Sequence, residues 1–218
     1  MDMDNEAQLA PLRQAIRSQD VYKFTDELNK ALQKGLDLSS IKKSTELVIL
    51  LHLRNYQAFR MIAEGGHTDS LRYLVSLFEK NMFQHMLEAG NYDAFIRAAK
   101  KGHTGTLRYL VELGGTDMTP KMLVANNYEA FRLAAKNGHT DILRYLAELG
   151  GPEIIPKMLE ADNYEAFRLA AGNGHTDTLR YLTELGGKEM IPKMLAAENC
   201  QAFRLAAGYT PEAMLYIA

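Results

Sequence analysis

Asn163-Tyr-Glu-Ala-Phe-Arg-Leu-Ala-Ala-Gly-Asn-Gly-His-Thr-Asp-Thr-Leu-Arg-Tyr-Leu-Thr-Glu-Leu-Gly-Gly187 recurs along the chain. Near-copies start at Asn55, Asn91 and Asn127, each 36 residues after the last, and a fragment starts at Asn199. A fixed period between about 20 and 50 residues means stacked supersecondary units, each unable to bury its apolar face without a neighbour. The chain therefore reads as a repeat solenoid.

Helix punctuation recurs with the same period. Phe131, Ala134 and Ala135 fall on one face of an inner helix, and Ile142, Leu143 and Leu146 on one face of an outer helix. Asn55, Asn91, Asn127 and Asn163 are placed to cap the inner helices, and Thr68, Thr104, Thr140 and Thr176 the outer ones. Gly66, Gly102, Gly138 and Gly174 close the inner helices, while Gly114-Gly115, Gly150-Gly151 and Gly186-Gly187 close the outer ones. The first unit has Phe78-Glu79 in place of such a pair, so its outer helix is expected to run longer. Thr119-Pro120-Lys121-Met122-Leu123 follows, with copies at 155–159 and 191–195. An N-capping threonine before a proline at the first helical position predicts a short third helix in each unit.

Ala130-Phe131-Arg132-Leu133-Ala134-Ala135, then Asn137-Gly138-His139, then Ile142-Leu143-Arg144-Tyr145-Leu146 resembles the ankyrin repeat. The likeness lies in an inner helix ending in Ala-Ala, a Gly-His turn and a Val-Val-x-x-Leu-Leu-like outer helix, in register over residues 55–207. Glu-Ala-Phe-Arg replaces the family's Thr-Pro-Leu-His, and the third helix stands where the family has a hairpin. The resemblance implies an all-α, ankyrin-like helical repeat solenoid that binds proteins on its concave side. Repeats of this dialect also resemble those of ankyrin-like proteins that intracellular bacteria deliver into host cells. That implies an effector or effector regulator, with a host or bacterial protein as partner.

Of the 218 residues 47% are hydrophobic, and the formal net charge is -2 with charges spread throughout. A continuous core is affordable, and there is no global attraction to nucleic acid or anionic membrane. Cys200 is the single cysteine, which permits no internal disulfide and suits a reducing compartment. No N-terminal apolar run has signal-peptide length, and the apolar run at 47–53 falls short of the ~20 residues that span a bilayer. The expectation is a cytoplasmic protein, in its own cell or a host's, with no nucleic-acid partner and no membrane insertion.

Residues 1–54 depart from the repeat. Leu9, Leu12 and Ile16 make one helical stripe, and Val21, Phe24, Leu28 and Leu32 another ending near Gly35, which gives two capping helices. Residues 45–54 stand where later copies have their third helix, with Leu50 and Leu51 aligned to Met122 and Leu123. The expected organisation is an N-terminal cap with half a repeat (1–54), four repeats (55–90, 91–126, 127–162 and 163–198), and a partial repeat (199–218). Thr210 and Pro211 start a last short helix whose apolar end, 214–217, offers a surface for self-association.

Chemistry is sparse. His67, His103, His139 and His175 recur once per repeat, on the order of 10 Å apart, far beyond shared coordination at ~2.1 Å, and are read as turn residues. Cys200 takes the place of a repeated tyrosine and reads as packing. Arg72, Arg108, Arg144 and Arg180 form a ladder, and Glu112, Glu148 and Glu184 stand four residues after the last three, which reads as a self-neutralised face. No phosphate loop, nucleophile elbow or metal-spaced cysteine set occurs. No cofactor, no metal and no enzyme activity is expected.

Surface remains. The row on the inner helices contains Arg60, Asp93, Ile96, Glu129, Arg132, Glu165, Arg168 and Arg204, with Tyr128 and Tyr164 at the helix starts, and these are the candidate protein-binding residues. Ile96 interrupts the arginines, either as an apolar anchor for a partner or as a substitute for the leucine one position on. Read as surface, Arg132 and Arg168 tolerate reversal to glutamate within about 0.5 kcal/mol. The favoured reading is a module that binds, and regulates, a partner through this face. The alternatives are a structural or self-associating spacer, and an enzyme with a site near the N-terminal region.

Overall fold

Segments whose apolar residues recur with a 3.6-residue period become helices, joined by turns. The computed structural model describes residues 3–36, 38, 49–50, 55–78 and 80–209, with side chains for 5, 7–36, 38, 49–50, 55–78 and 82–198. Two compact units divide between Ala94 and Phe95.

The first unit holds α1 (Met3–Ser18), α2 (Val21–Gln33), α3 (Gln57–Glu64), α4 (Thr68–Ser76) and the start of α5 (Lys80–Lys101). The two N-terminal stripes are buried as helical spacing requires: Leu9, Leu12 and Ile16 on α1, and Val21, Phe24 and Leu28 on α2. Asp20 caps α2 by accepting from the Lys23 backbone N–H at 3.0 Å. Such a cap contributes about 1 kcal/mol. α2 packs on α3 and α4, and Ser70 Oγ donates to Asn29 Oδ1 at 2.6 Å across that contact. Of the helix expected at 45–54 only Ile49 and Leu50 are described; they are helical, and Leu50 is fully buried.

The longer outer helix expected in this unit does not form. α4 stops at Ser76, because the N–H groups of Leu77 and Phe78 turn back to Leu74 and Val75 in i→i−3 bonds that tighten the last turn.

The second unit holds the rest of α5, α6 (Thr104–Lys136), α7 (Thr140–Gly172) and α8 (Thr176–Tyr209). These long elements are helical segments joined through sharp kinks. In α6 the breaks fall at Gly115 (φ 59, ψ -163) and across 125–128, and α7 breaks at Gly151 (φ 64, ψ -177) and across 161–164. Positive φ with ψ near 180° is essentially open to glycine alone, so the second glycine of each pair is where the outer helix ends.

The third helix follows the glycine directly, about one turn earlier than the proline signal predicts. Thr119 is not its cap; its hydroxyl donates back to the Gly115 carbonyl at 2.6 Å, and Pro120 lies inside the helix. Pro152, immediately after Gly151, occupies the helix start, where a missing N–H is harmless.

The core of the second unit repeats side chain for side chain. Phe95, Phe131 and Phe167 are at most 2% exposed, and Ala98, Ala99, Ala134, Ala135, Ala170 and Ala171 are fully buried. Alanine at these positions lets successive inner helices approach, and α6 packs on α7 as α7 does on α8. Among the described residues no helix is long and apolar enough to cross a membrane.

The outer helices begin differently from expectation. His67, His103 and His139 take the N-cap place without a side-chain cap bond, and the threonines sit at the first helical position. Thr140 Oγ1 and Thr178 Oγ1 pair at 2.8 Å between successive outer helices.

Candidate functional site

The inner-helix row begins at an unusual turn. Ala125 is extended, and Asn126, Asn127 and Tyr128 then take φ of 48, 57 and 60 in succession, all left-handed. Asp162, Asn163 and Tyr164 repeat the pattern, as do Gly90, Asn91 and Tyr92. The left-handed region costs an ordinary residue about 1 kcal/mol or more. A turn of this kind therefore needs support from outside its own backbone.

Arginine supplies it. Arg132 Nε donates to the Asn127 carbonyl at 3.0 Å and Nη2 to the Asn126 carbonyl at 2.9 Å. Arg168 does the same to Asn163 and Asp162, at 3.0 and 2.9 Å. The third nitrogen of Arg132 crosses to the next repeat, where it pairs with Asp162 at 2.5 Å and with Glu165. In the first unit Arg60 Nη1 pairs with Asp93 at 2.8 Å.

The repeated asparagines are not N-caps. Asn55, Asn91, Asn127 and Asn163 are themselves left-handed, a conformation in which the side chain no longer lies over the next free N–H groups. Asn127 Nδ2 reaches the Asp162 carboxylate at 2.7 Å and Asn163 Nδ2 the Glu198 carboxylate at 2.8 Å, both in the following repeat.

Four candidate residues, Arg60, Asp93, Arg132 and Glu165, are thus joined in clasps between repeats, and Arg168 holds its own turn. Glu129 accepts from Asn126 Nδ2 at 2.8 Å, an amide taking the place of a guanidinium. Ile96 is 3% exposed, so it is a packing residue and presents no apolar anchor. Tyr164 is 9% exposed and Tyr92 is 7% exposed, whereas Tyr128 is half-buried. Burial, and then the charge of Glu160, raises the Tyr164 hydroxyl above its usual pKa. Arg204, Cys200 and the expected helix at 210–218 lie outside the described side chains. The tolerance expected of Arg132 and Arg168 is corrected here, because both guanidinium groups are structural: they satisfy carbonyls of a strained turn.

A second ladder runs through the histidines. His139 Nε2 lies 3.0 Å from the Lys100 carbonyl, and His175 Nε2 3.0 Å from that of Lys136. Each ring thereby ties its outer-helix start to the end of the preceding inner helix. The rings lie so close to Gly102 and Gly138 that a Cβ there would come within 2.7 Å of Nδ1. Burial, outweighing the Lys100 carbonyl's opposite effect, lowers the His139 pKa below its usual value, with His175 and His103 adding to the lowering.

A group whose folded pKa is depressed gives stability that is complete above the unfolded value, about 6.5, and lost as pH falls through the folded value. Thermal melts are expected to drop as pH goes from 7.5 to 5.5, and His139→Gln is expected to flatten that slope. Parallel slopes for the two proteins would remove His139 from the effect.

Two of the outer arginines stack on tyrosines of the following repeat. Arg108 stacks on Tyr145, with Cζ 4.2 Å from the ring centroid, and Arg144 on Tyr181 at 4.5 Å. A cation over an aromatic face contributes roughly 0.5 to 1 kcal/mol at exposed sites. The signal for this was an arginine and a tyrosine 37 positions apart at 72/109, 108/145 and 144/181, legible only once adjacent repeats are stacked.

An open groove in the first unit is lined by Asn29, His67, Asp69 and Ser70, residue types that a hydrolase uses, but the Ser70 hydroxyl is committed to Asn29. Among the described residues no group of three His, Cys, Asp or Glu side chains is placed to hold a metal ion.

Residues 95–147 match the family model "Ankyrin repeats (many copies)". A solved ankyrin repeat family protein from Legionella pneumophila superposes with a TM-score of 0.52 at 20% identity, covering 82% of this chain and 76% of that one. No curated protein matches. The fold is all-α and ankyrin-like, built of helical repeats.

Proposed function

We propose that this chain is a protein-interaction module whose partner docks along the inner-helix row of its second unit. Ankyrin repeats are generally protein–protein interaction modules, and the observation that carries the proposal here is the contrast between two sets of inner-helix positions. Phe95, Phe131 and Phe167 and the alanine pairs are identical and buried. The neighbouring positions that are not buried differ from repeat to repeat: Asp93, Glu129, Glu165 and Lys100, Lys136, Gly172. A surface that specialises while its core stays fixed is what partner recognition requires.

Within the row, Arg132, Glu165 and Arg168 are rigid because of their clasps, so a partner meets preorganised charges at low entropic cost. Lys100 and Lys136 are exposed at the ends of successive inner helices. With Glu129 they are the charges to which a partner adds its own. The finer reading, a regulator acting on a host or bacterial protein after delivery into a host cell, rests on the likeness of these repeats to those of delivered bacterial proteins.

Photo-crosslinking residues placed at 100 or 136, with controls at Glu112 and Glu148 on the outer helices, test the face. A partner captured from the inner positions alone supports the proposal. Equal capture from the outer positions counts against it. The Lys100→Glu, Lys136→Glu variant should melt within about 0.5 kcal/mol of the unaltered chain and lose the partner.

A further inference from the structure

Two inner helices end in an Asn-Gly pair, Asn137-Gly138 and Asn173-Gly174. Each residue has its own reason to be there. The asparagine closes the helix, and its Nδ2 donates back to the carbonyl of Leu133 or Leu169 at 2.7 Å. The glycine carries φ of 74 or 71, the left-handed conformation that stops the helix. Earlier copies of the turn have Gly65 and Lys101 in the asparagine's place.

That pairing brings a reaction with it. In a free chain the backbone nitrogen after an asparagine attacks the side-chain amide carbon. A bond forms between that nitrogen and Cγ, the Cγ–Nδ2 bond breaks, and ammonia leaves with the nitrogen's proton. Water then opens the five-membered imide to aspartate or isoaspartate. Glycine hinders the attack least, because it has no side chain beside its nitrogen. Asn137 and Asn173 are both exposed, so water and hydroxide reach them and burial gives no protection.

We infer that Asn137 and Asn173 are sites of this spontaneous modification, held shut by the geometry of the turn and released when the turn opens. Ring closure needs the glycine nitrogen on the Cβ side of the asparagine. With ψ of 7 at Asn137 and 4 at Asn173, that nitrogen eclipses the asparagine's own nitrogen instead. The proton that must leave is engaged as well: Gly138 N donates to the Ala135 carbonyl at 3.2 Å and Gly174 N to that of Ala171 at 3.1 Å. At the first of the two turns the His175 ring packs so close to Gly138 that a Cβ there would meet Nδ1 at 2.7 Å. Conversion to isoaspartate adds a methylene to the main chain between 137 and 138, just after the Lys136 carbonyl that lies 3.0 Å from His175 Nε2. The lengthened turn cannot close as before, so a passing loss of structure becomes a permanent mark.

Incubation of the full chain in mildly alkaline buffer, with and without denaturing urea, tests this, with peptide mass spectrometry reading the amide-to-acid mass increase at each asparagine. In urea Asn137 and Asn173 are expected to convert ahead of Asn55, Asn91, Asn127 and Asn163, each of which precedes a tyrosine. In buffer alone the same two should convert about tenfold or more slowly, because a reaction confined to the open state follows the population of that state. Similar rates at 137 and 173 with and without urea overturn the lock. Conversion in urea spread evenly over all the asparagines overturns the choice of sites.

Discussion

Arg132→Glu is expected to cost the chain about 2 to 4 kcal/mol, several times the effect of an ordinary surface substitution. Hydrogen bonds to charged groups contribute roughly 1.5 to 3 kcal/mol each, and Arg132 makes two to carbonyls of the left-handed turn. It also balances Asp162 and Glu165, so a glutamate there sets three carboxylates together. The Arg132 side chain is 15% exposed but Asp162 is 46% exposed. Solvent screening of the aspartate therefore lowers the total well below that of a fully buried pair broken open. Urea denaturation followed by helical circular dichroism reads the loss directly. Arg132→Lys should recover only part of it, because a lysine cannot span two carbonyls and two carboxylates with a planar fork. A loss under about 0.5 kcal/mol in Arg132→Glu would show the clasp to be decorative.

Phe131→Ala is expected to cost about 3 to 5 kcal/mol, the range for emptying an aromatic site in a core. Phe131 is 1% exposed, and the fully buried Ala134 and Ala135 on the same helix face are too short to fill the space it would leave. Helix backbones would have to shift to close the cavity, and in a stack each shift is felt by the neighbour. Denaturant midpoint should fall with the slope nearly unchanged, as for a chain that unfolds the same surface from a weaker native state. A small loss would mean that the inner helices collapse onto one another more readily than their packing suggests.

These two substitutions divide what was legible in the chain. Phe131, Ala134 and Ala135 could be placed in the core from spacing alone, because burial follows helical period. The glycine pairs likewise announced the ends of the outer helices, since Gly115 and Gly151 adopt a conformation that other residues avoid. Arg132 was misread. Its neighbours in sequence give it a solvent-facing position, and its true partners are the carbonyls of 126 and 127 and carboxylates 30 and 33 residues away. Asn127 was misread for the same reason: a polar residue before an apolar helix looks like a cap, but three left-handed residues in succession carry its amide across to Asp162.

By itself the sequence determined the repeat, its period, the helical class and the apolar core, because these depend on spacing along one chain. Only the tertiary structure decided what the polar residues do. The reach of a side chain at 126–132 into the next repeat depends on how far a left-handed turn displaces it and how closely the alanines let two helices approach. Arg132 with Asp162, His139 with the Lys100 carbonyl and Arg108 with Tyr145 are pairings between neighbours in space, and a period in the sequence states that such neighbours exist without stating which atoms meet.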